Sequence, residues 1–203
     1  MSVSEDRDVT PAVQPAAAAA PVADPGPLGL AAFALTTFLL SAVNARWTAG
    51  NSAGTAFLGY ALAYGGGAQL LAGMWEFRNK NVFGATAFSS YGGFWIGLFF
   101  WIKNAPAATG HDLGWILLAF AIFNTYMLIL STQVNMAVFA VFLTLELTEI
   151  ILVIGNFTSS PGWTQFGGYV GIITAACAWY TSAAGVANGL NGRLRLPVGK
   201  PFM

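Results

Sequence analysis

Apolar residues dominate six long stretches of the chain, and turn-forming or charged residues separate these stretches. Each stretch is close to the roughly 20 residues that a helix needs to cross a hydrocarbon core of about 30 Å. Strict alternation over about ten residues, the mark of a membrane β-strand, does not occur in them. The pattern therefore predicts an all-α membrane protein, a bundle of six transmembrane helices at approximately 28–45, 54–75, 82–102, 112–131, 134–154 and 166–188.

The two ends of the chain differ from this core. Residues 1–27 are acidic and rich in proline and alanine, and they lack the cationic start and apolar block of a secretory signal. We expect a disordered cytoplasmic tail there. Residues 28–190 then form the six-helix transmembrane transport domain, and residues 191–203 form a short basic cytoplasmic tail.

Basic residues are distributed unevenly between the two sides of this topology. Arg46 and Lys103 fall on one side. The other side holds Arg7, Arg78, Lys80, Arg193, Arg195 and Lys200. The positive-inside rule therefore places both termini in the cytoplasm, in agreement with an even number of helices.

Composition narrows the function. Hydrophobic residues make up 56% of the chain and charged residues 8%, about a third of the charge of a soluble domain. The net charge is zero and no Lys/Arg cluster occurs, so a nucleic-acid partner has no electrostatic basis. A single cysteine, Cys177, and a single histidine, His111, cannot assemble a metal site. We expect no metal, no cofactor and no enzymatic activity.

Polar side chains recur at helical spacing inside the first stretch. Phe33 and Leu40 share one face with four polar residues: Thr36, Thr37, Ser41 and Asn44. Two interpretations are open. Each hydroxyl can bond the carbonyl one turn back, or the stripe lines a polar path between helices.

The second and third stretches carry similar polar positions. Gln69 lies among glycines, where it either lines a path or joins two helices by a hydrogen bond. Glu76 is near the cytoplasmic end, and we interpret it as a structural residue that pairs with Arg78 or Lys80. In the third stretch, the residues expected to face the bundle interior or a watery passage are Thr86, Ser89, Ser90 and Tyr91.

Glu146 and Glu149 lie deep in the fifth stretch, "FLTLELTEIILVIGN". A carboxylate near the bilayer centre costs at least about 2.5 kcal/mol, so these side chains cannot face lipid while ionised. Either glutamate could act as a proton relay in its neutral form. The alternative is a neutral glutamic acid bonded to Asn124, Gln133 or a neighbouring subunit. Small-xxx-small pairs such as Gly93 with Gly97 permit close helix contacts within or between protomers.

Five strings carry a family resemblance: "DPGPLGL", "YGGGAQLLAGMWEF", "NVFGATAFSSYGGFW", "VIGN" and "LPVG". They are long, ordered and spread over several stretches, from about Asp24 to Gly199. The chain resembles the acetate uptake transporter family, the succinate-acetate permeases. One departure is Asp24, where the family usually has asparagine; this charge could cap the first helix or repel an anion. The Glu146/Glu149 pair is not part of the family motif.

The resemblance implies a multi-pass protein of the plasma membrane, which is the inner membrane if the source is bacterial. It implies a homo-hexamer with a separate pore in each protomer. The transported substrates would be acetate and related small carboxylates, with succinate as a candidate, and protons would move with them. In the family three side chains narrow the path, and the motifs place them at Phe33, Tyr91 and Leu145. An apolar collar of this kind would strip water from a passing acid, and a small monocarboxylate should pass more easily than a bulky one. A passive channel of the same architecture and a non-transporting sensor or scaffold are the alternatives.

Overall fold

The structure, a computed structural model, describes residues 22–48, 57–104, 110–190 and 192–203. Most of the predicted N-terminal tail, residues 1–21, lies outside the described residues. The described residues before 190 are mainly helical, with a π-helical segment, Ala61–Ala68, that runs directly into the second α-helix. The α-helices are α1 (Gly26–Asn44), α2 (Gln69–Arg78), α3 (Val82–Asn104), α4 (Gly110–Ser131), α5 (Met136–Phe157) and α6 (Pro161–Gly189).

These six helices confirm the prediction of an all-helical membrane protein. In the described part of the chain, four helices are long and apolar enough to cross a membrane, namely α1, α4, α5 and α6. The other two predicted spans are less apolar or interrupted. Serine, glycine and asparagine dilute α3, and the π-helical segment divides the second span before α2 continues to Arg78.

The π-helical segment contains the sequence "YGGGA", in which three consecutive glycines weaken an ordinary α-helix. Its glycines meet neighbouring helices at very short range. A side chain at Gly65 would collide with Thr36 of α1, and one at Gly66 would lie 2.6 Å from Ile96 of α3. The absence of side chains therefore lets this segment fit closely between α1 and α3.

The helices alternate in direction, so the molecule has two faces. We call the face with the start of α1 and the end of α6 the termini face, and the other the opposite face. At the termini face, Asp24 Oδ1 accepts a hydrogen bond from the Gly26 amide at 2.9 Å, and Pro27 lies in the first turn of α1. Asn135 Oδ1 caps α5 by accepting from the Val138 amide at 2.9 Å.

Helices α1, α5 and α6 are joined by small and hydroxylated residues. A side chain at Gly168 of α6 would collide with the backbone of α1 at Ala45, and one at Gly171 would collide with Ser41. Thr148 and Thr174 share a hydrogen bond of 3.0 Å between α5 and α6. Polar groups at this interface are thus used for tight packing.

The C-terminal segment, residues 192–203, lies across the termini face. Val198 accepts a hydrogen bond from the Ala137 amide at 2.9 Å, and the Tyr180 hydroxyl donates to the Pro197 carbonyl at 2.6 Å. Asn188 binds both backbone groups of Leu196 through its side chain. Gly199 has a φ of 73° beside Met136, a left-handed conformation that favours glycine. The segment is therefore held against α5 and α6.

Candidate transport pathway

A cavity of about 250 Å³ opens from the termini face into the bundle. We call it the vestibule. Its polar lining includes the carboxyl groups of Asp24 and Glu76 and the amide of Asn81, and Val198 of the C-terminal segment borders it. Lys, Arg and His are absent from the described residues that line it. The vestibule is therefore an acidic space that leads inward between α1, α3 and α5.

Deeper in the bundle, the path narrows to a second cavity of about 20 Å³, which has room for about one water molecule. The vestibule and this small cavity share Leu30, Ala87, Phe88 and Phe142, so the two cavities adjoin. Phe33, Tyr91 and Leu145, the three residues that the family resemblance placed at a narrowing, all line the small cavity. We call these three residues the collar.

The collar joins three helices through buried rings and an aliphatic side chain. Phe33 of α1 meets Tyr91 of α3 edge to face, with ring centroids 5.6 Å apart, and Leu145 of α5 belongs to the same core cluster. Phe120 and Phe123 of α4 contact the other side of the Tyr91 ring, at 5.7 Å and 5.5 Å. Such aromatic packing holds Tyr91 in position.

The hydroxyl group of Tyr91 enters a buried polar network. It donates to Asn124 Oδ1 at 3.0 Å and lies 3.4 Å from Glu149 Oε1. Asn124 is completely buried, and its amide nitrogen donates to the Phe142 carbonyl at 3.0 Å and to Glu146 Oε2 at 2.7 Å. Glu146 is thereby linked to Tyr91 of the collar through Asn124, and Glu149 lies directly beside the Tyr91 hydroxyl.

The two glutamates have different surroundings. Glu146 is half-buried, and both of its oxygens have partners, Asn124 and, at 2.8 Å, the Thr125 hydroxyl. The bond between Asn124 and Glu146 is one of the alternatives that the sequence left open. Glu149 is only 5% exposed, and its Oε2 has no hydrogen-bond partner.

Gln69 also reaches the collar. It is buried and lines the small cavity, and its Oε1 has no hydrogen-bond partner. An unpaired acceptor beside a cavity is available to a ligand that donates a hydrogen bond. Gln69 is therefore the predicted polar lining residue that the structure brings directly to the collar.

The other predicted lining residues are distributed over several places. Thr36 donates to the carbonyl of Ala32 at 2.8 Å, as the local alternative supposed. Ser41 packs in the α1–α6 interface, and Asn44 lines a pocket at the opposite face. Thr37 is buried and its hydroxyl has no partner, and Ser89 packs on Gly73. Thr86 is half-buried, and Ser90 lies in a groove between α3 and α4.

Glu76 has a different partner from the one expected. Its carboxylate accepts from the Asn79 amide at 3.4 Å, whereas no ion pair joins it to Arg78 or Lys80 among the described residues. It is buried at the wall of the vestibule, where Gly26 and Gly84 leave space for its carboxyl group. The expected pairing was wrong because Glu76 points inward, while the neighbouring basic side chains are exposed.

Sequence reasoning missed part of the vestibule wall: Asn81, Asn135, Thr181 and Asn188. Asn81 and Asn135 precede helices, and each accepts a bond from an amide of the first turn. A capping pattern was therefore the available signal, since helix starts at one face converge on the same space. Thr181 and Asn188 gave no such signal.

Six helices, a vestibule and a buried collar define this chain as a multi-pass membrane transporter. Residues 7–200 match the GPR1/FUN34/yaaH family. The chain is 40% identical to ammonia transport outward protein 2 of Saccharomyces cerevisiae, over 88% of this chain and 68% of that protein. It is 34% identical to the succinate-acetate/proton symporter SatP of Escherichia coli, over 88% of this chain and 96% of that protein.

A solved structure of the bacterial acetate channel SatP has the same fold, with a TM-score of 0.81 and 33% identity, over 88% of this chain and 99% of that one. The chain belongs to the GPR1/FUN34/yaaH family. The predicted family membership is therefore confirmed, and with it the expectation of a transporter rather than an enzyme.

Proposed function

We propose that this chain moves acetate and related small carboxylates, with succinate as a candidate, across the plasma membrane together with protons. The observation that carries the proposal is a vestibule that ends at a collar of Phe33, Tyr91 and Leu145. The vestibule admits a small acid, and the collar separates it from the opposite half of the bundle. The substrates named for the bacterial SatP relatives agree with this size class.

The charge of the pathway favours a neutral acid over an anion. Asp24 and Glu76 give the vestibule a negative character, and the collar offers only the Tyr91 hydroxyl and the nearby Gln69 amide as polar groups. Transfer of an ionised carboxylate into such surroundings is far more costly than transfer of the hydrogen-bonded neutral acid. Gln69 Oε1 is free to accept a bond from the acid's hydroxyl. Acetate and a proton would thus pass together.

Glu146 and Glu149 are the proposed proton relay in this mechanism. They lie one helical turn apart on α5, and Asn124 and Tyr91 connect them to the collar. A passive channel of the same architecture is the second candidate mode, because the solved relative is described as an acetate channel. A path that moves acetate together with a proton accumulates acetate when a proton gradient drives it, whereas a channel for the acetate anion alone only dissipates the acetate gradient.

We further propose that the chain functions as a homo-hexamer with both termini in the cytoplasm and one pore in each protomer. The groove between α3 and α4 supports a lateral contact, since Gly93 and Gly97 have open space where a side chain would be. The mass of the detergent-solubilised particle tests this assembly. A monomeric particle in mild detergent and in lipid nanodiscs would contradict it.

Uptake of labelled acetate into proteoliposomes tests the proposed function. With an acidic exterior and a neutral lumen, acetate should accumulate above its external concentration, and a protonophore should abolish the accumulation. Equilibration without accumulation would support the channel mode. Uptake equal to that of empty liposomes would reject both modes. Phe100→Ala, a substitution on the exposed face of α3, is a control for nonspecific effects of mutation.

A further inference from the structure

The hydroxyl group of Tyr91 lies between two possible hydrogen-bond acceptors, and the proton count of the network decides between them. Asn124 donates both of its amide protons, one to the Phe142 carbonyl and one to Glu146. A carbonyl oxygen can only accept, so the orientation of the Asn124 amide is set by Phe142. Asn124 Oδ1 is therefore the acceptor that faces Tyr91, at 3.0 Å.

This orientation of the Asn124 amide determines the protonation state of Glu149. Tyr91 has one hydroxyl proton and gives it to Asn124, so its oxygen can only accept from Glu149, at 3.4 Å. A hydrogen bond in that direction requires a neutral carboxylic acid on Glu149. An ionised Glu149 would instead need the Tyr91 proton, and its second oxygen, Oε2, has no donor. The arrangement thus fits a neutral carboxylic acid on Glu149, with the Tyr91 hydroxyl donating its proton to Asn124.

We propose that Asn124 and Glu149 compete for the Tyr91 hydroxyl, and that the protonation of Glu149 decides which of them holds it. When Glu149 loses its proton, its carboxylate becomes the stronger acceptor and draws the hydroxyl away from Asn124. The hydroxyl of Tyr91 then turns its proton from Asn124 to Glu149, both of which lie within 3.4 Å of its oxygen, while the packed ring stays in place as a wall of the collar. Asn124 is then a positioning residue, and Glu149 is the group that couples the proton to the collar. This inference rests on the proposed function and gives it a physical switch.

Groups on each neighbouring helix affect this switch. Among the described residues, Tyr91 faces Glu149 from α3, and Glu146 lies one turn away on α5 itself. On α4, Tyr126 interacts electrostatically with Tyr91, and Asn124 carries no charge. Cys177 of α6 packs against the same core cluster as Leu145. The nearest ionisable groups among the described residues are thus acids or weak acids.

Glu146 differs from Glu149 because its surroundings accept an amide. Its Oε2 accepts from Asn124, and its Oε1 lies 2.8 Å from Thr125, whose hydroxyl is 2.9 Å from the Ala121 carbonyl. In Glu146→Gln, the new amide can still accept from Asn124 and can donate to Thr125. Glu149→Gln has the same chemical change, but its amide would donate permanently to the Tyr91 oxygen and keep the hydroxyl on Asn124.

The first test is acetate exchange at equal pH on both sides of proteoliposomes, measured over a series of pH values for the wild type, Glu149→Gln and the exposed-face control Phe100→Ala. Each variant is compared with the wild type at the same pH, so the titration of acetate itself cancels. We expect the ratio of Glu149→Gln to the wild type to change with pH and the ratio of Phe100→Ala to stay constant. A constant ratio for Glu149→Gln would overturn the inference. Absence of wild-type exchange would instead reject the proposed function.

The second test does not depend on transport. Infrared spectra of the full-length protein in lipid, recorded as difference spectra between the wild type and Glu149→Gln, should show the band of a protonated carboxyl group at neutral pH. Loss of that band on alkalinisation should coincide with a change in the tyrosine ring modes, and Tyr91→Phe should lack that change. If no protonated carboxyl band distinguishes the wild type from Glu149→Gln, the competition between Asn124 and Glu149 does not occur.

Discussion

The α1–α6 interface and the collar use similar residue types for opposite purposes. At the interface, Ser182 donates to the Pro27 carbonyl at 2.7 Å. Ser41 packs against Gly171 so closely that a side chain on Gly171 would collide with it. Around the collar, Gln69 Oε1 is buried without a partner beside a cavity, and Glu149 Oε2 is buried without a partner close to Tyr91. The interface is a packed joint, and the collar retains unused hydrogen-bonding capacity.

This difference teaches that polar residues in a membrane helix do not by themselves mark a pathway. A hydroxyl group that bonds its own helix and meets a glycine contributes to packing. A buried polar atom with no partner carries an energetic cost that a substrate or a proton can relieve. Polar residues of the first kind should affect stability when mutated, and those of the second kind should affect transport.

The largest expected effect on stability is at the interface. Gly168→Ala would place a Cβ atom against the backbone of Ala45 and the Ser41 carbonyl, which cannot move as a flexible side chain could. We expect a loss of about 3 kcal/mol in the free energy of unfolding. Gly97→Ala is the matched control, because nothing lies within 4 Å of its Cβ position. Thermal unfolding in detergent compares the two, and an equal melting temperature would contradict the packed joint.

An intermediate effect is expected at the collar network. Tyr91→Phe keeps the ring but leaves Asn124 Oδ1 without its donor, which should lower the free energy of unfolding by about 2 kcal/mol. The width of the collar should not change, so the relative rates for small and bulky carboxylates should match those of the wild type. Thermal unfolding and substrate competition measure the two effects separately. A changed size preference with unchanged stability would contradict the assignment.

The smallest effect is expected for a hydroxyl group of the packed kind. Thr36 bonds the Ala32 carbonyl of its own helix, and that carbonyl keeps its place in the α1 helix without it. Thr36→Val should change the free energy of unfolding by less than about 1 kcal/mol and leave acetate uptake within about twofold of the wild type, because the lost hydrogen bond is local to α1. A loss of acetate transport in a normally folded Thr36→Val protein would contradict this assignment and show that Thr36 takes part in the pathway.

Hydropathy predicted the helices well because a membrane helix must be long and apolar whatever its neighbours are. The predicted bounds of 82–102 and 112–131 differ from the observed helices by two residues or fewer at each end. The start of α6 was placed at 166 rather than at Pro161, because "PGWTQ" is too polar to register as a span. The π-helical segment was not predicted, since glycines alone do not indicate which helical form a tight contact will select.

The candidate site was harder to predict, because it depends on which faces meet. The residues of the collar came from the family resemblance, and the structure places them around one cavity. Thr36 belongs to the predicted polar stripe of α1, and in the structure it packs against Gly65 of the π-helical segment. Helical spacing identifies residues that share a face, but it does not tell whether that face meets a cavity or another helix.

Substrate size selection at the collar is the most direct test of the central claim. Uptake of labelled acetate and labelled butyrate into proteoliposomes should be compared for the wild type, Tyr91→Ala and the control Phe100→Ala. We predict that Tyr91→Ala raises the uptake of butyrate relative to acetate, because a wall of the narrowest cavity is removed, while Phe100→Ala keeps the wild-type ratio. An unchanged ratio in a folded Tyr91→Ala protein would contradict the assignment of the collar as the selective part of the pathway.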